Sequence, residues 1–309
     1  MFDSFFYRPK GLFLQSFHPA TVLVYLMVLL ILSLVYDHPL YLLMLFFLLA
    51  LLIREADGVA AWEGFMKAGV FLMLVVMVVN PLVIRAGRTI ILHGPEVPFL
   101  GKLDISMEAL YFGAVSSLRL LVIISIFCLY NLMIDPDKIL NLFARVAGRS
   151  VLVITLATRL FPTMVRDLQR IREVQQLRGV DFDTGSLWQR ARKYSGLYNV
   201  LLLSSLEGAM EIAESMQARA FGSGRRSVYS RNLLRPRDFF CLGGSVLALL
   251  AAVWGLHYGC GRYSFYPEAD LLIKDRATLV VLFVVVSYLS VPLILSKGWK
   301  HCRFLQSKI

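Results

Sequence analysis

The chain has 309 residues, of which 58% are hydrophobic and 17% are charged, and its formal net charge is +11. Because soluble domains carry about 25% charged residues, this composition excludes an ordinary soluble domain and is typical of a polytopic membrane protein. The positive charge is concentrated in residues 135–237, where 17 Lys and Arg stand against 9 Asp and Glu, a net +8.

Long apolar runs predict the membrane spans, because a helix needs about 20 apolar residues to cross a bilayer and about 17 at the least. A shorter run, Leu40–Ile53, follows the first long run across Asp37-His38-Pro39, so the two predict a helical hairpin. Leu40–Ile53 is either a full span or a re-entrant or buried helix. The five longer runs are Ala20–Tyr36, Ala68–Ile84, Ala109–Ile134, Phe239–Leu256 and Ala277–Leu295.

We therefore predict an all-α membrane protein with about six transmembrane helices and one long cytoplasmic insert of amphipathic helices. Residues 1–134 would hold spans one to four, residues 135–237 the insert, and residues 238–309 spans five and six with a cytoplasmic tail. Lys and Arg in short loops mark the cytoplasmic side of a membrane. Basic residues before the first span and in the tail place both termini in the cytoplasm.

The insert is predicted to contain two long helices. Its first apolar stretch, Val151–Leu160, is too short to cross a membrane, and Phe161-Pro162 is expected to bend the chain at its end. A polar break at residues 181–186 precedes the second helix. One face of that helix carries an apolar stripe at helical spacing, formed by Leu202, Leu206, Ala209, Ala213, Met216 and Ala220.

Both helices of the insert end in the same pattern, an arginine followed closely by glycine. Arg178 precedes Gly179, and Arg219 precedes Gly222 by three residues. One interpretation is an ordinary helix C-terminus, where a cation is favoured by about 0.3–1 kcal/mol and glycine permits the turn. The other is a pair of docking points for a soluble partner, which the repetition within one insert favours.

These two helix ends resemble the Ala-Arg-Gly motifs that close the coupling helices in the T component of energy-coupling factor (ECF) transporters. That family imports vitamins and transition-metal ions into bacteria. Here the motifs read Leu177-Arg178-Gly179 and Ala218-Arg219-Ala220, each with one departure from the family pattern. The residues that would support them are Asp181, Phe182, Phe221 and Gly222.

Further stretches resemble the same family in the same order, and together they cover roughly residues 15–240. The part after the fifth span is longer than usual for the family. The matching stretches are His18-Pro19-Ala20-Thr21, Asn80-Pro81-Leu82, Gly87-Arg88-Thr89, Ile105–Leu110, Leu118-Arg119-Leu120, Asp135-Pro136-Asp137-Lys138 and Arg159-Leu160-Phe161-Pro162.

The resemblance implies a multi-pass scaffold of the bacterial inner membrane, surrounded by lipid, with no cofactor, metal site or nucleic-acid partner of its own. Two ABC-type ATPase subunits would bind the helix ends, and a separate membrane S component would bind the vitamin or metal ion. ATP binding and hydrolysis in the ATPases would move the coupling helices and reorient the S component. ATPase docking is implied for Arg178, Gly179, Ala218, Arg219 and Ala220, with Leu177 among the supporting residues.

Arg119 lies about ten residues into the fourth predicted span, where a charge is costly and usually faces the protein interior or water. One interpretation is structural, with the guanidinium bonded to backbone carbonyls at a helix break near Ser116-Ser117. The other is a role in gating the movement of the S component.

Two other functions remain as alternatives. The permease of another ATP-driven transporter would dock its ATPases through a single short coupling helix rather than two long helices. A membrane-embedded enzyme would need a catalytic set, and no HExxH, carboxylate pair or Ser/His/Asp set is found near the predicted membrane faces. The sequence also lacks a GxxxxGK[ST] loop, so ATP hydrolysis is assigned to partners. Single, scattered cysteines predict neither metal binding nor disulfides: Cys128, Cys241, Cys260 and Cys302.

Overall fold

A computed structural model describes residues 13–83, 89–97, 101–135, 138, 139, 142, 148–182, 184–224, 234–261, 263–265 and 276–301. A short 3-10 helix, Phe13–Ser16, precedes the first α-helix. The α-helices are α1 (Pro19–Val35), α2 (Pro39–Glu55), α3 (Val59–Val83), α4 (Met107–Met133), α5 (Gly148–Leu177), α6 (Leu187–Ala218), α7 (Pro236–His257), α8 (Arg276–Leu289) and α9 (Val291–His301). Residues of the predicted motifs that lie outside these ranges are Gly87, Arg88, Pro136, Asp137 and Cys302.

The chain forms two compact units, Met1–Ile139 with Leu233–Ile309, and Leu140–Asn232. We call the first the membrane unit and the second the α5–α6 unit. The helical membrane class predicted from the sequence is confirmed. One feature was not predicted: an antiparallel hairpin of β1 (Ile90–Val97) and β2 (Gly101–Ser106) lies between α3 and α4 in the chain.

Among the described residues, three helices are long and apolar enough to cross a membrane: Val59–Asn80 within α3, all of α4, and α7. Helices α8 and α9 meet that standard only as a pair, and they are bent by 45° relative to each other. At 17 residues each, α1 and α2 lie at the lower limit for a span. The number of six spans therefore stays a prediction.

The last predicted span, Ala277–Leu295, is divided between two helices, since α8 ends at Leu289 and α9 begins at Val291. As a bent pair, the two are long and apolar enough to form one span. Pro292 explains the break. Proline has no backbone N–H to continue the ladder of hydrogen bonds, and it disfavours helical geometry in the residue before it.

Phe161-Pro162, where a bend is predicted, does not end a helix, because α5 runs from Gly148 to Leu177 with Pro162 inside it. The proline removes one backbone donor, the one that would bond the carbonyl of Thr158. This local loss does not end the helix, which has 30 residues.

The hairpin of α1 and α2 was predicted correctly, and both helices begin with the same His-Pro pair. His18 accepts a hydrogen bond from the Ala20 N–H through Nδ1 at 3.2 Å, and His38 accepts one from the Leu40 N–H at 3.3 Å. The following proline occupies the first helical position, where its missing N–H is not needed. Both histidines therefore act as N-caps.

Apolar side chains from α1, α2, α4, α7 and α8 form the core of the membrane unit, with Leu29, Leu49 and Leu129 fully buried. Because lipid tails are as apolar as leucine, helix association in a bilayer depends on close packing. Glycines provide it here. A β-carbon at Gly255 of α7 would lie 2.6 Å from Val281 Cγ1 of α8. In contrast, only 6% of the apolar stretch of α3 is buried, and α3 packs mainly on α4.

A buried carboxylate joins the start of α7 to the start of α1. Asp238, 1% exposed, accepts hydrogen bonds from the N–H of Arg235 at 2.8 Å and from the N–H of His18 at 3.0 Å. Its neighbour Arg237 donates to the carbonyl of Ser16 at 2.6 Å. The N-terminal ends of two helices that are 220 residues apart in the chain are thereby fixed to each other.

Candidate functional site

The first predicted docking residue, Arg178, is the C-cap of α5. The N–H of Gly179 donates to the carbonyl of Gln176 at 2.9 Å, and the N–H of Val180 donates to that of Gln175 at 3.0 Å. Gly179 has a φ of +88°. This pair of bonds with a left-handed residue is a Schellman motif, which satisfies carbonyls that the helix end leaves open.

The second predicted docking residue, Arg219, is the C-cap of α6 and ends its helix in the same way. The N–H of Ala220 donates to the carbonyl of Gln217 at 2.9 Å, and the N–H of Phe221 donates to that of Met216 at 3.0 Å. Here an alanine holds the left-handed conformation, with a φ of +54°. For a residue with a β-carbon, that conformation costs about 1–2 kcal/mol.

The two arginines thus occupy equivalent positions, one residue before a left-handed residue at a helix C-terminus. Both side chains are exposed, and neither makes a hydrogen bond or an ion pair within the part of the chain that the structure describes. Ordinary capping accounts for where the arginines lie. It does not occupy their guanidinium groups, which stay available for a partner.

The turn between α5 and α6 is tightly held. Phe182 is 1% exposed, and its ring lies 5.3 Å from the ring of Tyr194 on α6 and 5.9 Å from the guanidinium carbon of Arg172 on α5. The ammonium group of Lys193 donates to the carbonyl of Asp181 at 2.5 Å and to that of Thr184 at 3.0 Å. Side chains of both helices therefore fix the backbone that follows Arg178.

The start of α6 adds a second restraint to this turn. Ser186 and Gln189 form a capping box, in which each side chain bonds the backbone N–H of the other residue, at 3.4 and 3.2 Å. Gly185 has a φ of +110°, and a β-carbon there would lie 2.7 Å from Gln189 Oε1. Only glycine fits this position without strain.

The predicted site residues form two separate groups. Leu177, Arg178, Gly179, Asp181 and Phe182 lie at the α5–α6 turn, which we call the first end. The second end consists of Ala218, Arg219, Ala220, Phe221 and Gly222, which has a φ of +93°. The two ends are separated by the whole of α6, whose 32 residues span about 48 Å at 1.5 Å per residue.

The predicted apolar stripe on α6 is not what packs against α5. Leu202 and Leu206 are each 62% exposed, whereas Leu197 and Leu201 are buried. The packed face lies beside the stripe, since Leu201 directly precedes Leu202 in the helix. Most of the predicted stripe is therefore an exposed apolar surface that α5 does not cover within the described residues.

Arg119 bonds the turn between α1 and α2, not a break in its own helix. Its Nη2 atom lies 2.6 Å from Asp37 Oδ1 and donates to the carbonyl of Tyr36 at 3.1 Å. Helix α4 continues through Ser116 and Ser117, so the predicted helix break is wrong. The expectation of a bond to a backbone carbonyl is confirmed, but the carbonyl belongs to a different segment.

The sequence model of the family described as cobalt transport protein (CbiQ) matches residues 12–229. This stretch includes both arginine-bearing ends. A relative in Thermosediminibacter oceani, an energy-coupling factor transporter transmembrane protein EcfT, is 29% identical over 181 residues, which cover 54% of this chain and 68% of the relative. The protein of that name in Lacticaseibacillus paracasei is 31% identical over 199 residues, covering 60% and 73%.

A similar protein with a different name is the putative ABC transporter ATP-binding protein BL0043 of Bifidobacterium longum. It is 25% identical to this chain over 198 residues, which are 60% of this chain and 24% of that protein. The matched stretch is thus a minor part of a longer protein that is named for binding ATP.

Proposed function

We propose, from the premise that the chain belongs to the cobalt transport protein (CbiQ) family, that it transmits ATP-driven motion between two kinds of partner. The resemblance to ECF transporters is confirmed, so the chain is the transmembrane component of such a transporter. Two ATPase subunits bind the first and second ends, and a separate membrane S component binds the vitamin or transition-metal ion. The chain itself is the scaffold and does not hydrolyse ATP.

The observation that carries the proposal is the pair of equivalent helix ends at opposite termini of α6. Each presents an arginine whose side chain bonds no other described residue, on a backbone fixed by a Schellman motif. Arginine stays charged and forms forked, two-bonded pairs with carboxylates, so a rigid arginine suits the transmission of a pull. The first and second ends are about 48 Å apart along α6, which favours binding to two partner surfaces over binding to one. The likeness to a protein named as ATP-binding supports ATPases as those partners.

The S component is assigned to the apolar surface of α6 that α5 leaves uncovered. Leu202, Leu206 and Met210 are 62%, 62% and 59% exposed. Leaving such side chains in water is unfavourable, by about 25 cal/mol per Å² of apolar surface. A membrane subunit that covers this surface would be displaced whenever α6 moves, which is the coupling that we propose.

The test is to purify the tagged chain with its partners from native membranes and to identify copurifying proteins that contain a GxxxxGK[ST] loop. The complex purified with the wild-type chain should contain two ATPase copies and hydrolyse ATP, whereas the chain alone should not hydrolyse ATP. Loss of one partner from a desolvated charged pair at an interface costs about 2–5 kcal/mol. Arg178→Ala or Arg219→Ala should therefore weaken ATPase retention, and the double variant should abolish it.

Arg166→Ala is the matched control, because Arg166 is an exposed arginine in the middle of α5. It should leave ATPase retention unchanged. Lysine at positions 178 and 219 should restore retention only in part, because lysine keeps the charge and loses the fork. A double alanine variant that still retains both ATPases would reduce the two arginines to helix caps.

A further inference from the structure

Three large apolar side chains at the first end are more exposed than any other large apolar side chain that the structure describes. Leu177, Leu187 and Trp188 are 89%, 85% and 82% exposed. The next most exposed, Phe283 of the membrane unit, reaches 74%. The three are the last residue of α5 and the first two residues of α6. We call them the apolar anchor.

The exposure of the apolar anchor does not come from a loosely held loop. In the same turn, Phe182 is buried between Arg172 and Tyr194, and Lys193 bonds two backbone carbonyls. From Arg172 to the end of α5 is five residues, about 7.5 Å of helix. The anchor therefore projects beyond the packed level of the helix pair on a fixed backbone. Pre-organisation of this kind lowers the entropic cost of binding.

Two residues of the first end, Trp188 and Arg178, are of types that recur at protein–protein hot spots. Tryptophan and arginine are the residues most enriched among positions that dominate binding, and they work best inside a pocket that excludes water. Residues 177–193 carry four Lys or Arg, at 178, 190, 192 and 193, against two Asp, at 181 and 183. The complementary surface is thus an apolar pocket with an acidic rim.

The second end has the same backbone and lacks the anchor. Where the first end has Leu177, the second has Ala218, and its exposed aromatic residue, Phe221, is 51% exposed. Because the two ends share a backbone geometry but differ in exposed apolar surface, we expect them to bind their ATPase subunits with different affinities.

We propose that the apolar anchor inserts into a pocket of the ATPase subunit that Arg178 contacts, and that Trp188 dominates the affinity of this end. The first end then holds its ATPase more tightly than the second end holds the other. This inference rests on the proposed function. Arg178 sets the orientation of the contact, and the anchor slows its dissociation.

The experiment measures the rate at which ATPase subunits dissociate from the immobilised, purified complex. Trp188→Ala should raise that rate at least tenfold, and Leu187→Ala should raise it by a smaller factor. Two variants serve as controls. Leu203→Ala removes an apolar side chain that is 62% exposed on the same helix and away from the turn, and it should change the rate less than twofold. Phe221→Ala at the second end should have less effect than Trp188→Ala.

A second readout distinguishes a protein pocket from a lipid surface. In a variant that keeps Trp188 and has phenylalanine at Trp62, Trp254 and Trp299, assembled with partner subunits whose tryptophans are also replaced, the fluorescence reports position 188 alone. In nanodiscs, binding of the ATPases should protect Trp188 from acrylamide, and brominated lipids should not quench it. Quenching by brominated lipids in the complex would show that the anchor contacts the membrane and would overturn the inference.

The outcomes separate this inference from the proposed function. Suppose that Arg178→Ala speeds dissociation while Trp188→Ala and Leu187→Ala leave the rate within twofold of wild type. The inference that the apolar anchor binds the ATPase is then wrong, and the proposed function stands. If the wild-type chain retains no ATPase, the proposed function fails and the inference fails with it.

Discussion

Ala220 and Gly179 share one backbone conformation at the two helix ends, and only the glycine adopts it without steric cost. A β-carbon at Gly179 would meet nothing within 4 Å, so the cost of alanine there is conformational and not a matter of space. This makes the two positions a matched pair. Placing glycine at position 220 and alanine at position 179 tests the Schellman geometry independently of any partner.

We predict that Ala220→Gly stabilises the second end by about 1 kcal/mol and that Gly179→Ala destabilises the first end by a similar amount. The measurement is amide hydrogen exchange of Phe221 and Val180. In the two Schellman motifs, their N–H groups donate to the carbonyls five residues earlier in the chain. Exchange at Phe221 should slow about fivefold in the first variant, and exchange at Val180 should accelerate in the second. Unchanged exchange in both would contradict the left-handed assignment.

At Arg119, the structure predicts a coupled pair with Asp37. The two side chains are 24% and 50% exposed, so solvent weakens their attraction. Arg119→Ala and Asp37→Ala should each lower the free energy of unfolding in detergent by about 1 kcal/mol. The double variant should cost less than the sum, because both single changes remove the same bond. Strictly additive losses would show that the pair does not contribute.

Two adjacent glycines test the close packing of α7. A β-carbon at Gly244 would lie 3.0 Å from the carbonyl oxygen of Tyr288, whereas one at Gly243 would meet nothing within 4 Å. Gly244→Ala should lower the free energy of unfolding by about 1–3 kcal/mol through overpacking. Gly243→Ala should raise it slightly, by up to about 1 kcal/mol, through helix propensity. Equal effects of the two changes on thermal unfolding in detergent would contradict the described packing.

At the scale of elements, the sequence predicted the helices that have strong apolar patterns or clear start signals. The apolar runs predicted α1, α2, α4 and α7 to within a few residues. The errors arise where tertiary context decides. Pro162 is tolerated in α5, whereas Pro292 accompanies a break, and local sequence does not separate these cases. The β-hairpin has no alternating pattern strong enough to reveal it, since His93, Gly94 and Pro95 interrupt β1.

The positions of the two arginines at helix ends were predicted from sequence, because an arginine followed by glycine is a helix-stop signal. The equivalence of Ala220 with Gly179 was not, since alanine gives no such signal. Nor was the partner of Arg119, because a contact over 82 residues of chain has no local pattern. Exposure of Leu177 and Trp188 depends on which neighbours the turn buries, and only the structure gives that.

For the whole molecule, we predict that the α5–α6 turn and the end of α7 lie on opposite sides of the membrane. The probes are single cysteines at Thr184 and Tyr258, both exposed, in a background without native cysteines. Gly185 and Cys260 are unsuitable, since the first needs glycine and the second is buried. An impermeant thiol reagent should label position 258 in intact cells and position 184 only after lysis. Labelling of position 184 in intact cells would contradict the cytoplasmic placement.

The central claim is that each arginine-bearing end holds one ATPase subunit, and the number of ATPase subunits bound per chain tests it most directly. Native mass spectrometry of the purified complex should find two ATPase subunits on the wild-type chain. Loss of the ATPase pair should be partial for Arg178→Ala and for Arg219→Ala, and complete for the double variant, because the second docking is effectively intramolecular once the first has formed. Two ATPase subunits on a folded double variant would contradict the account.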